Sequence, residues 1–252
     1  MKKHLVIFIS IIFISCSESK LFYNSIKKHK APLGYLHDSK INDCEKSKKI
    51  SIIQSNQEQL DTLTKVTKKN SIFLPLLFFN YYEVNLNVSL GQGSVDQLYS
   101  NFFNNSFVKE CERTGCFSLV DTKNNSDYSI EFSFENCESK SQYNITQTTV
   151  FMLFAYFMDM HQSAMPSSST IKLKVRLFKA NKFIKEKIYN VENNQPFYNH
   201  SGNIVKLRKD FINNMAESLS MCTKKCVEQI INDINLEIEN QENKLQQVSL
   251  NL

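Results

Sequence analysis

The sequence predicts an α+β fold, a two-layer sandwich in which a mainly antiparallel sheet carries two amphipathic helices on one face. Several segments alternate apolar and polar residues with the period of two that is typical of a half-buried strand. Two other segments repeat apolar residues at helical spacing. One-sided strands favour an antiparallel sheet with one solvated face, and amphipathic helices can cover the other face.

The strands are expected in order along the second and third quarters of the chain. Pro75 suits an edge strand because proline donates no hydrogen bond to a neighbouring strand. A turn at Ala180-Asn181 would join the last two strands as a hairpin. The predicted strands cover residues 72–82, 82–90, 116–121, 127–135, 171–177 and 183–191.

Three helices are expected. Residues 56–69, with Ser55 as a cap, favour a modest helix. The capping-box pattern from Ser94 to Gln97 predicts the start of a second helix, which Gly115 would end. A third, longer helix covers 203–238, where these residues form an apolar stripe: Leu207, Phe211, Met215, Leu219, Cys222, Cys226 and Ile230.

Residues 149–160 are the most hydrophobic stretch outside the N-terminus, and they are too few to span a membrane as a helix. Periodicity alone does not separate a buried strand from a buried helix here. We expect a core strand that is buried on both faces. The alternative is an exposed apolar segment that touches a membrane or a partner protein.

The formal net charge of +5 is too small and too dispersed to predict nucleic-acid binding. Lys172, Lys174 and Arg176 occupy alternate positions of one predicted strand and are the best candidates for a polar ligand surface. A simpler interpretation is a solvated sheet face whose cations pair with Glu131 and Glu135.

Motifs of catalysis are scarce. Asp159, His161 and Ser163 suggest a hydrolase, but neighbours in sequence rarely form a triad and no G-x-S-x-G motif is present. The sequence contains neither HExxH nor a CxxC pair, and Gly91-Gln92-Gly93 lacks the rest of a phosphate loop. We therefore expect a protein without enzymatic activity, metal or cofactor.

The N-terminus has the form of a secretory signal. Lys2 and Lys3 precede an apolar run over residues 5–14 that is too short to cross a bilayer. The run ends in Phe13-Ile14-Ser15-Cys16, which resembles the lipobox of bacterial lipoproteins. The resemblance implies cleavage before Cys16, whose thiol and new amino group are then acylated. An ordinary signal peptide with an incidental cysteine is the alternative.

Ser17 adds a second resemblance. Lipoproteins that lack aspartate directly after the acylated cysteine are similar to those sorted to the outer membrane. The implied location is the outer membrane, with the domain facing the periplasm or the outside. We accordingly expect residues 1–15 to be a signal peptide and 16–70 to be a polar tether and N-terminal extension. The α+β domain would cover 71–238, and 239–252 would form a polar tail.

Removing Cys16 from the seven cysteines leaves an even number, which in an exported chain predicts disulfides. Cys111 and Cys116 flank a predicted turn and could form a local bridge. Cys222 and Cys226 lie one helical turn apart and would bond elsewhere, to Cys44 or Cys137, or pack as small apolar residues. The six candidates are Cys44, Cys111, Cys116, Cys137, Cys222 and Cys226.

The body carries a weaker resemblance. Residues 115–120, followed by 127–130, resemble a G-x-F-x-V-V … A-D-Y-x-L pattern of small periplasmic α+β lipoproteins, although Ser126 replaces the alanine. These proteins include accessory subunits of lipopolysaccharide transport and activators of cell-wall synthases. The resemblance implies an envelope scaffold or assembly factor that binds a protein or glycolipid partner. The alternatives are a module for an apolar or lipid ligand, with 150–158 as a cavity wall, and a secreted hydrolase.

Overall fold

The computed structural model describes residues 22, 24–26, 28–36, 46, 48–53, 65–76, 79–121, 125–152, 155–197 and 203–250. For residues 65–76, 79–80, 82, 151–152, 155–156, 242 and 244–250 it describes the backbone alone. The signal peptide, Cys16, Cys44 and most of the helix expected over 56–69 lie outside the described residues. The α+β prediction is confirmed: in the described part of the chain, eight strands form one mostly antiparallel sheet, and two long helices pack against it.

Most strands are longer than predicted. Residues 72–82 and 149–160, each expected in one strand, are each divided between two strands, and a strand over 48–53 that was not predicted precedes them. The elements are β1 Lys48–Ile53, β2 Lys65–Leu76, β3 Phe79–Ser89, α1 Tyr99–Thr114, β4 Phe117–Val120, β5 Tyr128–Met152, β6 Ala155–Ala164, β7 Ser167–Lys179, β8 Lys182–Gln195 and α2 Ile204–Leu250.

Strand β5 is the central strand of the sheet: its 25 residues pair with four other described strands. Its first part lies between β1, which is parallel to it, and β7. Its second part lies between β3 and β6, both antiparallel. The outer strands β2, β4, β6 and β8 each pair with one neighbour among the described strands, so the edge position expected for Pro75 in β2 is confirmed.

Both helices bury their apolar sides against the sheet. In α1, the rings of Phe103 and Phe107 meet Phe132 of β5 edge to face, with centroids 5.5 and 5.0 Å apart. Edge-to-face aromatic pairs add about 0.5–1.5 kcal/mol beyond the area that they bury. Every residue of the stripe predicted in α2, from Leu207 to Ile230, is buried.

A polar tether is the wrong interpretation for the described residues before 71, because they belong to the fold. Phe22 is fully buried, with its ring centroid 4.3 Å from that of Tyr143 and 6.1 Å from that of Phe211. Ile26 is buried one helical turn later, and Ile50 of β1 is buried inside the sheet. Periodicity did not identify these short apolar runs, because polar residues and lysines surround them. Residues 65–69, expected in a helix, lie in β2.

The capping-box prediction is also wrong, because α1 begins at Tyr99 and not after Ser94. Ser94 ends a short 3-10 helix and is buried. The side chain of Gln92 organises the start of α1: its Oε1 accepts a hydrogen bond from the Tyr99 amide (3.1 Å), and its Nε2 donates to the Gln97 carbonyl (2.7 Å). The capping-box motif is read from four consecutive residues, so it does not include a side chain seven residues before the helix begins.

The C-terminal end of α1 agrees with the prediction, whereas α2 extends beyond its predicted end. Gly115 follows the last residue of α1, as predicted, and its amide donates to the Cys111 carbonyl (3.0 Å). By contrast, α2 continues to Leu250, so the predicted polar tail over 239–252 is helical for most of its length. Glutamate, glutamine and lysine in this segment are good helix formers, which explains the continuation.

Candidate functional site

The predicted cationic surface is balanced by carboxylates on the same sheet face. The pairs are Lys172 with Glu135 (2.8 Å), Lys174 with Glu135 (3.5 Å), and Arg176 with both Glu131 (3.5 Å) and Glu186 (2.7 Å). The hydrogen bond from Lys172 lowers the pKa of Glu135, and the one from Arg176 lowers the pKa of Glu186. A charge-matched face attracts an anion weakly, so the simpler interpretation of these residues is favoured.

The residues that suggested a hydrolase lie on one face of β6. Asp159 and His161 are exposed, and Ser163 is half-buried. Alternate residues of a strand are about 6.6 Å apart along its axis, so their side chains form a hydrogen bond only where they lean towards each other, as those of Gln142 and Asn144 do (2.8 Å). Among the described side chains, no hydrogen bond joins these three residues to one another. The arrangement therefore lacks the contact between nucleophile and base that hydrolysis needs.

Four of the predicted disulfide cysteines are free thiols in the core: Cys111, Cys137, Cys222 and Cys226. The local Cys111–Cys116 bridge is therefore wrong, as are the bridges proposed for the two cysteines of α2. Cys116 is disulfide-bonded, and its partner lies outside the described residues. The open alternative, in which cysteines of α2 pack as small apolar residues, agrees with their burial.

These four thiols are buried in the core. Burial raises the pKa of both Cys137 and Cys222 to about 12. The Cys222 thiol donates to the Val191 carbonyl (3.2 Å), and the nearby Tyr99 hydroxyl shares a hydrogen bond with Thr223 (2.8 Å). Neutral thiols are poor nucleophiles and poor metal ligands. In the described part of the chain, no group of three or more His, Cys, Asp or Glu residues could hold a metal ion.

Among the described residues, two small cavities border the helix–sheet interface. One lies beside Tyr99 and Cys137 and has a volume of about 20 Å³, and the other lies beside Tyr189 and Asp233 and has about 30 Å³. Each has room for one or two water molecules, whereas pockets for small organic ligands occupy about 300–1,000 Å³. Neither is lined by residues 150–158, which were the expected cavity wall.

One end of the sheet differs from the polar surfaces described above because its residues are mostly apolar. There the β2–β3 and β5–β6 hairpins end side by side. The backbone register aligns Leu76, Phe79, Val150 and Phe157 in one row across four strands. The two-residue connections that follow are Leu-Phe in both hairpins, at 77–78 and 153–154. We call residues 72–76, 79–82, 148–152 and 155–158 together the apolar tip.

The apolar tip carries no charge. Between Lys69 and Glu83, and again between Lys140 and Asp159, every residue is uncharged. Phe157 is 63 % exposed and Met158 is 42 % exposed. The expectation of a core strand buried on both faces over 149–160 is therefore wrong for the described side chains of β6. The reason is the position of β6, which pairs only with β5 among the described strands.

The described contacts of α2 with β6 lie short of the apolar tip. Arg208 donates from Nε and Nη2 to Oε1 of Gln162 at 3.3 and 3.2 Å, and the Tyr143 hydroxyl donates to the same oxygen (2.7 Å). Gln162 pairs with Ile145, five residues before Val150, which corresponds to about 17 Å along the strand. The tip thus extends past this polar cluster.

Comparison with known proteins adds little. No protein-family model matches the chain, and no curated protein matches it. Among solved structures, the chain is similar to protein XCC0632 from Xanthomonas campestris, family-model DUF330, with a TM-score of 0.44 and 11 % identity over 84 % of this chain and 99 % of that chain. In the described part of the chain, no helix combines the length and the apolar character needed to cross a membrane.

Proposed function

We propose that this chain is an outer-membrane lipoprotein that is acylated on Cys16 and has no catalytic activity. In this proposal it serves as an envelope scaffold or assembly factor and binds a protein or glycolipid partner. The observation that carries the proposal is the pattern Phe13-Ile14-Ser15-Cys16 after a short apolar run. Three features support the absence of catalysis: the neutral buried thiols, the separated polar residues of β6 and the small cavities.

The position of Phe22 makes the proposed attachment a short one. Phe22 is fully buried and lies six residues after Cys16. A fully extended chain spans at most about 3.3–3.6 Å per residue, so the two residues are at most about 21 Å apart. The lipid would therefore hold the body close to the headgroups. A partner would meet the domain at the membrane surface, where an exposed apolar region can serve as a binding site.

The test of acylation uses one variant and one inhibitor, with the full chain expressed in a bacterial host. Cys16→Ala removes the thiol that the lipid would occupy, and we expect unprocessed precursor and loss of the mature form. Globomycin, which blocks lipoprotein signal cleavage, should make the unaltered chain accumulate as the same precursor. If processing and membrane fractionation stay unchanged in both experiments, the proposal is overturned.

The matched control is Ser17→Asp, which leaves Cys16 in place. We expect this variant to be processed and acylated normally but to fractionate with the inner membrane, following the resemblance to outer-membrane lipoproteins. Normal sorting of Ser17→Asp to the outer membrane would contradict the proposed sorting while leaving acylation intact. Crosslinking in intact cells, followed by mass spectrometry, would then identify the partner.

A further inference from the structure

We infer that the turn between β7 and β8 binds the surface of a bilayer that contains anionic phospholipid. This binding goes beyond the proposed function, because it belongs to the folded domain and does not depend on acylation of Cys16. The surface is formed by residues 178–183, which we call the basic turn. All of their side chains are described, and they combine two lysines with an exposed pair of phenylalanine rings.

The ion pairs of this hairpin stop before the basic turn. On β8, Lys185 pairs with Glu237 of α2 (2.8 Å), and the cations of β7 pair with carboxylates as described above. At the basic turn, no carboxylate oxygen of a described residue lies within 4.0 Å of the Nζ of Lys179 or Lys182. The positive charge that the hairpin leaves unmatched is therefore concentrated at this end.

Lys179 and Lys182 form a cross-strand pair, so two ammonium groups lie on opposite strands at the same register. Like charges in directly opposite positions destabilise a hairpin. The Lys179 ammonium lies 5.5 Å from the ring centroid of Tyr128, a neutral neighbour that leaves the repulsion in place. The carboxylate of Asp127, next to the turn, accepts a hydrogen bond from the Lys49 amide (2.9 Å). An anion bound at the turn would offset the repulsion between the two lysines.

The next cross-strand pair is aromatic, and it decides the kind of anion. The rings of Phe178 and Phe183 meet edge to face with centroids 6.0 Å apart, and Phe183 is 59 % exposed. Elements that bind membrane surfaces combine lysines with phenylalanine, because phosphates attract the ammonium groups while the acyl boundary receives the rings. A free phosphate would leave the rings in water. The occupant that fits both pairs is therefore an anionic phospholipid surface.

The dimensions of the basic turn fit the headgroup layer. Residues 180–181 are exposed and uncharged, and the lysine pair and the phenylalanine pair follow at successive positions, about 3.4 Å apart. Elements at the interface bury their apolar side about 5–10 Å deep. Glu186 is four residues from Lys182, or about 13 Å along β8, so the turn can enter the headgroups while this carboxylate stays in water.

The position of the basic turn restricts how the domain would lie on the bilayer. Phe178 pairs with Ser129, which is fourteen residues from Tyr143 along β5, or about 46 Å. Phe22 lies against Tyr143, and Cys16 reaches at most about 21 Å from Phe22. An acylated Cys16 and the basic turn would therefore meet one bilayer with the sheet lying along the membrane surface.

The first test compares two double variants of equal net charge, in the chain from residue 16 to 252 with Cys16→Ser, so that no lipid is attached. Lys179→Gln with Lys182→Gln removes the two unmatched lysines. Lys172→Gln with Lys185→Gln removes two lysines that are in ion pairs and is the matched control. Sedimentation with vesicles measures the partition coefficient, for phosphatidylcholine alone and for phosphatidylcholine mixed with phosphatidylglycerol.

We expect the unaltered chain to bind the mixed vesicles more tightly than the neutral ones. Each lysine near an anionic surface contributes about fivefold to binding, so the variant of the basic turn should lower the partition coefficient by about thirtyfold. The control variant should lower it by much less, because its lysines are matched by carboxylates and lie away from the turn.

A second test follows the rings, since the chain contains no tryptophan. Phe183→Trp places a single fluorophore in the basic turn. Phe157→Trp is the matched control, because Phe157 is 63 % exposed and lies at the other end of the sheet. With mixed vesicles that contain brominated phospholipid, the emission of Phe183→Trp should shift to the blue and be quenched, while that of Phe157→Trp changes little. Inorganic phosphate should produce neither effect.

Several results would overturn the inference. Equal partition coefficients for the two double variants would mean that binding follows net charge and not the basic turn. Equal quenching of the two tryptophans would mean that the turn is not the part that meets lipid. A single-stranded oligonucleotide that binds more tightly than the mixed vesicles would assign the turn to nucleic acid. Because no anchor is present, these outcomes are independent of the Cys16→Ala experiment and distinguish the two proposals.

Discussion

Replacement of Phe22 by alanine tests whether the segment next to the proposed anchor belongs to the core. Phe22 has no exposed surface and contacts Tyr143 and Phe211, and the guanidinium carbon of Arg208 lies 6.0 Å from its ring centroid. Removing a buried phenylalanine ring costs the lost burial together with the cavity left behind, about 3–5 kcal/mol. We expect Phe22→Ala to lower the free energy of unfolding by this amount.

The assay is urea denaturation of the chain from residue 16 to 252, with Cys16→Ser, followed by far-ultraviolet circular dichroism. The midpoint should fall while the slope with denaturant stays constant. Phe183→Ala is the control, because Phe183 is largely exposed and its loss should cost at most about 0.5 kcal/mol. A cost below about 1 kcal/mol for Phe22→Ala would refute the short attachment, since the tether would then begin after Phe22.

Three further predictions follow from local contacts. Gly115→Ala should destabilise the fold by about 1–3 kcal/mol in the same assay, because a Cβ there would lie 2.7 Å from the Cys111 carbonyl oxygen, whereas Gly93→Ala meets nothing within 4 Å and should be nearly neutral. Maleimide labelling at pH 8 should leave Cys137 and Cys222 unmodified in the native protein and modify them in urea, and rapid native labelling would contradict their burial. The free energy of unfolding should fall as pH rises from 9 towards 12, because the thiols of the unfolded chain lose their protons at a lower pH than the buried ones. The expected decrease is up to about 1.4 kcal/mol per pH unit for each thiol, and a constant free energy of unfolding over this range would contradict the raised pKa values.

Periodicity identified the elements that have one solvated face. The alternation of β5 and β7 and the apolar stripe of α2 are visible in sequence because each element lies between the core and water. The turn at Ala180-Asn181 was also predictable, and both residues have positive φ, as a two-residue hairpin turn requires. The pairing of the cationic face with glutamates likewise followed from the strand register.

Other features depend on contacts that are distant in sequence. Phe22 and Ile50 are buried by elements more than 65 residues away, and each lies in a short apolar run within a mostly polar segment. The start of α1 depends on the side chain of Gln92. The length of β5, and hence the position of the apolar tip, follows from pairing with four strands, which a local pattern does not encode. The free state of Cys111 depends on its direction in the core, which sequence spacing does not give.

The N-terminal peptide of the mature protein tests the central proposal most directly. Trypsin should release residues 16–20, since Lys20 is the first cleavage site after Cys16. Mass spectrometry of the protein purified from bacterial membranes should find this peptide beginning at Cys16 and carrying a diacylglyceryl group on the thiol. A mature chain that begins at another residue, or an unmodified Cys16 at its start, would contradict the account.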